Sequence, residues 1–221
     1  MREQLPLFPL PNVDLFPDVL LPLHIFEPRY RIMVEDTLKT HKKIGMVLLK
    51  KGWEENYYET PEIFEVGCMG QIVDQEKLPD GKFNILLKGV SRFSVARIVE
   101  PAPYRRAKIA LLPDRIESLS DQDAQKMKKN LCDAAEALPE YFVYNKLPLN
   151  RVPVDFAAPL PTVVDTISYY LSIDPYEKQP ILEETRVDKR AELLYEKLID
   201  ILQIKRAFKE AGKFNTDPGL N

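Results

Sequence analysis

The hydrophobic pattern of this chain changes period near its middle. In the first half, apolar residues come in short runs or strict alternation at Leu5–Phe8, Val19–Ile25, Ile44–Lys50, Phe64–Asp74, Phe83–Lys88, Phe93–Val99 and Tyr104–Leu112, with proline, glycine and aspartate between them. A period of two marks strands half-buried on one face, and a series of short ones predicts a β barrel or sandwich. Leu78-Pro79-Asp80-Gly81 supplies a hairpin turn, and Lys88-Gly89-Val90-Ser91 predicts a second reversal. Six prolines precede Arg29. Each lacks the ladder N–H, so this segment is expected in edge strands, bulges and turns. One helix interrupts the strands: Pro28 fits the first helical position, and Tyr30, Met33, Val34 and Leu38 follow at helical spacing.

After Leu112-Pro113 the period becomes helical. Ser120-Asp121-Gln122-Asp123 offers N-cap chemistry to a helix with the face Met127, Leu131, Ala134, Ala135 and Leu138, stopped by Pro139. Further helices are expected after Pro161, after Asp174-Pro175, and from Arg186 to about Glu210. The last carries a stripe of Val187, Ala191, Leu194, Leu198 and Ile201, widened by Leu193, Tyr195, Ile199 and Leu202. A stripe that wide fits packing on its own domain better than a coiled coil, though self-association through this helix stays open. The polar end, Asn215–Asn221, is expected to fray.

Composition narrows the chemistry. The chain has 221 residues, with 19 prolines and only 8 glycines. Phosphate cradles need glycines where backbone approaches an anion. No GxGxxG occurs here, and Gly212-Lys213 lacks the rest of a P-loop, so familiar nucleotide binding is excluded. Two histidines and two cysteines, without CxxC, HxxxH or HExxH spacing, leave no recognisable zinc site. No cofactor or metal is expected. Cys68 and Cys132 read as small core residues. His24 reads as a structural strand histidine and His41 as a residue at a helix end. No apolar run reaches the roughly 20 residues of a membrane span. The opening MREQLPLFPLPNVDLF is broken by prolines and an aspartate, unlike a signal peptide, so a cytoplasmic location is expected.

Charge is nearly balanced, at −3 overall. Residues 1–117 hold 17 basic and 17 acidic side chains, so neither half is a basic nucleic-acid module. A local group, Arg92, Arg97, Arg105, Arg106 and Lys108, lies on two neighbouring strands. With few interleaved aromatics it reads as a solvated face rather than an RNA-binding one, and RNA is kept as the alternative partner.

The string LPLFPLPNVDLFPDVLLPLHIFEPRYRIMVEDTL resembles the opening of the LON substrate-binding domain, the N-terminal module of ATP-dependent Lon proteases. The matching features are Leu5-Pro6-Leu7, Phe16-Pro17, Leu21-Pro22-Leu23 and Ile25-Phe26-Glu27-Pro28-Arg29-Tyr30. Glu65-Val66-Gly67, Asp80-Gly81 and the ending YYLSIDPYEKQPILEETRVDKRAELLYEKL also match, so the resemblance covers about residues 4–202. It implies an α+β fold, a PUA-like pseudo-barrel of about six strands and one helix followed by a helical lobe. The expected division is 1–116 barrel, 117–210 helical subdomain and 211–221 flexible tail. It also implies recognition of unfolded or tagged polypeptide, or of a protein partner. The family's ATPase and Ser–Lys dyad have no counterpart among these motifs, and none of the six serines sits in a recognisable nucleophile turn. A free-standing, non-catalytic domain is therefore expected.

A polypeptide-binding domain needs exposed apolar surface. Turn chemistry at Phe16-Pro17-Asp18-Val19 and Leu78-Pro79, and Trp53 in the polar stretch KKGWEENYYE, nominate Phe16, Pro17, Val19, Trp53, Leu78 and Pro79 as contacts. Phe16 and Trp53 could equally fold back as plugs on the barrel ends. Glu27 and Arg29 around Pro28 read as a charged pair fixing the strand-to-helix corner. Adjacent carboxylates such as Glu54-Glu55 and Glu183-Glu184 are the only acid/base candidates, too common on surfaces to point to a hydrolase.

Overall fold

The computed structural model describes residues 4–57, 59–100, 103–116, 119–144, 147–148, 153–155 and 157–214. These form two compact units. The first holds the described residues up to Arg115 together with Ile173–Thr185, and the second holds the remainder.

The first unit contains β1 (Gln4–Leu10), β2 (Leu20–Ile25), α1 (Pro28–Leu38), β3 (Lys43–Leu48), β4 (Val66–Lys77), β5 (Phe83–Glu100) and β6 (Arg106–Leu112). The sheet order is β2-β5-β4-β3-β1-β6, and a further β5–β6 pairing closes five of the strands into a ring. Only β1 with β3 runs parallel. The interior is filled by Leu5, Leu7, Val47, Met69, Phe93, Ala107 and Ile109, drawn from all five ring strands and alternating as period two requires. The barrel agrees with the alternating pattern, and its six strands within an α+β fold agree with what the family resemblance implied.

The early prolines are housed as their missing N–H demands. β1 pairs with β6 over Gln4–Pro6 and with β3 over Leu7–Leu10, so at each position the registered partner is on one side only. Pro22 lies in β2, whose only strand partner among the described residues is β5.

The expected reversal at Lys88–Ser91 is not there. β5 runs unbroken from Phe83 to Glu100, and Gly89 sits inside it, opposite Gly70, beside a register shift in β4. The reason for glycine is close approach: a Cβ on Gly89 would stand 1.9 Å from the carbonyl oxygen of Phe16. Backbone bonds Asp18 N–H to Gly89 O (3.0 Å) and Gly89 N–H to Val19 O (2.9 Å) pin the β1–β2 loop across the strand.

α4 (Pro175–Glu183), which the helical period grouped with the later helices, belongs to this first unit. The Asp174 side chain caps it by accepting from the Tyr176 N–H (2.9 Å). Gln179 donates to the Val66 carbonyl (3.0 Å), and Arg92 Nε donates to the Leu182 carbonyl (2.9 Å) at the helix's C-terminal end. Arg92 is thus buried on β5 beneath α4 while its neighbour Phe93 fills the ring.

The second unit contains α2 (Asp121–Glu136), the short ribbon β7 (Val143–Tyr144) and β8 (Leu147–Pro148), α3 (Leu160–Tyr170) and α5 (Val187–Phe214). Ser120 caps α2 by accepting from the Asp123 N–H (3.1 Å), as the sequence indicates. The stripe Val187, Ala191, Leu194, Leu198 and Ile201 of α5 is buried, as are Leu131 of α2 and Val163, Val164 and Ile167 of α3. α5 passes the expected end near Glu210 and reaches Phe214; the remainder of the proposed tail, 215–221, lies outside the described residues. No helix among the described residues is long and apolar enough to cross a membrane.

Candidate functional site

The start of α1 gathers the first unit's half-exposed aromatic and charged side chains. β2 ends at Ile25, and Phe26 projects 58% exposed. Glu27 occupies the N-cap in an extended conformation and Pro28 follows at the first helical position. The Glu27 carboxylate does not cap the helix. It accepts instead from Arg29 Nε on one oxygen (3.0 Å) and from the Tyr57 hydroxyl on the other (2.7 Å). The Arg29 guanidinium lies 4.6 Å from the ring centre of Tyr30 and 5.0 Å from that of Tyr57, within cation–π range of both. Tyr30 is buried against Phe8, with ring centres 4.3 Å apart.

Electrostatics fixes the protonation states here. Burial would lower the Arg29 pKa, but Tyr30 and Glu27 outweigh it and hold the pKa above its ordinary value. Burial, then the bond to Glu27, raises that of the Tyr57 phenol. Tyr57 is therefore a neutral donor and Arg29 a permanent cation at physiological pH.

Trp53 stands beside this cluster. Gly52, at φ +87°, takes the left-handed conformation that opens the 3-10 turn Trp53–Asn56. The Trp53 ring meets Tyr57 edge-on at 5.5 Å. Beyond the same loop, Tyr176 of α4 donates to the Leu49 carbonyl (3.0 Å), packs on Phe64 (6.0 Å) and receives Lys51 over its face (5.1 Å). Trp53, Tyr57, Phe64 and Tyr176 are all half-exposed. The β4–β5 hairpin tip also reaches α1, where a Cβ on Gly81 would meet the Arg31 guanidinium at 2.2 Å.

The nominated contact residues divide. Phe16 is 0% and Val19 4% exposed, so neither presents its side chain to a partner. Expecting surface there took turn composition as a guide to side-chain direction; Asp18 at φ +65° and the two bonds to Gly89 turn both side chains inward. Phe16 is thus a plug. Pro17, Trp53 and Leu78 are half-exposed and Pro79 is exposed. Glu27 and Arg29 do form the expected pair. Tyr57, Phe64 and Tyr176 were missed; the tyrosines of KKGWEENYYE were the available signal, read as merely polar.

The basic group does not make one face. Arg92 is buried, bonded to Leu182 and facing Asp114 at 3.4 Å. Arg106 donates to the Tyr104 hydroxyl, which donates to Asp36 (3.0 Å). Arg97 and Lys108 are exposed and Arg105 half-buried. Cys68 and Cys132 are buried free thiols, as expected, the second pushed up to about 11 by burial. His24 is exposed on β2 and hydrogen-bonded to Asn84 (2.8 Å). Among the described residues no group of three His, Cys, Asp or Glu could hold a metal ion.

A closed β ring with a helix at one corner, and with aromatic and charged side chains gathered at the start of that helix, makes this a domain of the α+β class. Comparison with known proteins assigns its family. The model of the ATP-dependent protease La (LON) substrate-binding domain matches residues 4–200, and the chain belongs to that family. It is 28% identical over 193 residues to the Lon protease of Dictyoglomus thermophilum, covering 85% of this chain and 23% of the relative. It is 23% identical to that of Buchnera aphidicola subsp. Acyrthosiphon pisum, covering 96% and 27%. The chain thus spans about a quarter of the length of these Lon proteases. Its fold matches a crystal structure of a Lon N-terminal domain protein from Xanthomonas campestris (TM-score 0.62, 23% identity, 87% of this chain and 96% of that one). It also matches the N-terminal domain of the Mycobacterium avium complex Lon protease (TM-score 0.64, 12% identity, 90% and 99%).

Proposed function

We infer that this domain binds unfolded or tagged polypeptide, or a protein partner, through the surface around the start of α1, and cleaves nothing itself. The observation that carries the reading is the half-exposed aromatic set Trp53, Tyr57, Phe64 and Tyr176, with Phe26, Leu78 and Pro79 nearby in the same unit. Large amphipathic rings with few rotatable bonds bind varied chains at low entropic cost, and an unfolded client offers no fixed shape to match. Membership of a substrate-binding family supports the same reading. The catalytic activity of full-length Lon proteases is not carried over to this chain.

The test pairs binding with cleavage. The purified protein is incubated with reduced casein and with single-stranded RNA at two salt concentrations. Casein affinity that falls in Trp53→Ala, with intact casein on a gel, is the expected result. Cleavage by the protein alone, or salt-sensitive RNA binding without casein affinity, overturns the reading.

A further inference from the structure

Glu27 stands where a helix cap belongs and does not act as one. It takes the N-cap position of α1 with an extended backbone, yet its side chain makes no bond to the helix amides, one of which an N-cap side chain ordinarily satisfies. The carboxylate reaches the other way. It accepts from the Tyr57 hydroxyl at 2.7 Å, across thirty positions of sequence, and from Arg29 Nε at 3.0 Å. Glu27 and Arg29 are both largely shielded from water, where a charge-assisted bond outweighs one between neutral groups.

Tyr57 belongs to the outer part of the connection from β3 to β4, residues 49–65. Backbone holds the base of that connection: Leu49 bridges Ile63, Lys50 N–H donates to the Glu62 carbonyl (2.8 Å) and Phe64 N–H to the Leu48 carbonyl (2.9 Å). Burial does not fix the outer part. A Cβ on Gly52 would meet nothing within 4 Å, and no residue of the turn Trp53–Asn56 is buried. A single 3-10 turn does not hold itself. The bond from Tyr57 to Glu27, with the Arg29 guanidinium 5.0 Å from the centre of the same ring, joins this outer part to the start of α1. Trp53 leans edge-on against that ring at 5.5 Å, so a fixed Tyr57 gives Trp53 a fixed support.

We propose that Glu27 is the positioning residue of the polypeptide site: through the Tyr57 hydroxyl, its carboxylate holds Tyr57 and Trp53 as a preset aromatic platform beside α1. This role rests on the reading of the domain as a polypeptide binder and adds what arranges its surface. A platform ordered before the client arrives spares binding the entropic cost of ordering a loose loop. Glu27 acts through Tyr57 rather than by touching the client.

Tyr57→Phe is the sharpest test, because it deletes one O–H and keeps the ring. Fluorescein-labelled reduced casein is titrated with each variant and followed by anisotropy, and acrylamide quenching of Trp53, the chain's only tryptophan, is read on the protein alone. Tyr57→Phe is expected to weaken casein binding about fivefold and to make Trp53 easier to quench, with the melting temperature within a few degrees of native. Glu27→Gln, whose amide oxygen still accepts from the hydroxyl, should keep part of both properties. Glu27→Ala should lose both, and adding Tyr57→Phe to it should change nothing further. Native casein affinity in Tyr57→Phe overturns the inference and leaves the polypeptide reading standing. So does weaker binding with unchanged quenching, which would make the hydroxyl a direct contact, and so does a double variant whose losses add. Tyr57→Phe decides the question even where Glu27→Ala does not fold. Native protein without casein affinity, or Trp53→Ala that binds casein as tightly as native, overturns the reading of the site and this role with it.

Discussion

Replacing Asp14 by asparagine should change how stability depends on pH. Asp14 lies in the β1–β2 loop, 9% exposed, facing Lys178 of α4, which is 8% exposed. Burial pushes the Asp14 carboxyl from 3.8 up to about 7; Lys178 pulls it back in part, and Asp174 adds to the rise. A carboxyl whose folded pKa exceeds its unfolded one favours the folded state when protonated. Its contribution is therefore fully present below about pH 4 and is lost as pH climbs through about 7. Roughly three units at about 1.4 kcal/mol each give an upper figure of ~4 kcal/mol, with a slope no steeper than about 1.4 kcal/mol per pH unit. Burial also lowers the Lys178 pKa from 10.5, with Asp14 partly restoring it, an effect of opposite sign on stability. Urea titrations of native protein and Asp14→Asn between about pH 4.5 and 8, followed by Trp53 fluorescence in the same unit, compare the two; the variant loses the carboxyl together with its attraction to Lys178. The native protein should lose a few kcal/mol relative to the variant as pH rises. Parallel curves, or a native protein that gains on the variant, would refute the reasoning.

Further outcomes follow from the packing. Gly89→Ala places a methyl group 1.9 Å from a backbone oxygen, so a loss above about 3 kcal/mol or failure to fold is expected by thermal melting. Gly52→Ala, with nothing within 4 Å but a φ of +87°, should cost only about 1–2 kcal/mol. Phe16→Ala should cost about 3–5 kcal/mol, because the ring is fully buried, whereas Leu78→Ser should leave the melting temperature nearly unchanged and weaken casein binding. Arg92→Met removes the donor to Leu182, and faster hydrogen exchange confined to 175–185 would mark the loosening of α4.

The elements were legible because period and capping are local. The strand runs, the Pro28 start of α1, the Ser120 cap of α2 and the buried stripe of α5 all follow from residues within one turn or one pleat of each other. What was not legible depends on distant chain. Lys88-Gly89-Val90-Ser91 has turn composition, yet its glycine answers to a carbonyl at Phe16. Arg92 looks solvent-facing until α4, ninety residues later, covers it and supplies an acceptor. Tyr57 reaches Glu27 across thirty positions, and Tyr176 joins Leu49 across more than a hundred. The site is a convergence of such contacts, so the sequence yields its motif, Glu27-Pro28-Arg29, without its aromatic surroundings.

The return of α4 to the strands has a consequence for biosynthesis. The barrel is complete in sequence by Leu112, but Arg92 then has no helix carbonyl to meet, and Asp14 and Val66 lack the side chains of Lys178 and Gln179. These partners arrive only after the whole of residues 116–172 has been made. On the ribosome the strands must wait, with their α4 face uncovered, while most of the second unit emerges. A nascent chain halted near residue 116 is therefore expected to hold an unfinished barrel, one that becomes protected against proteolysis only after synthesis passes about Thr185.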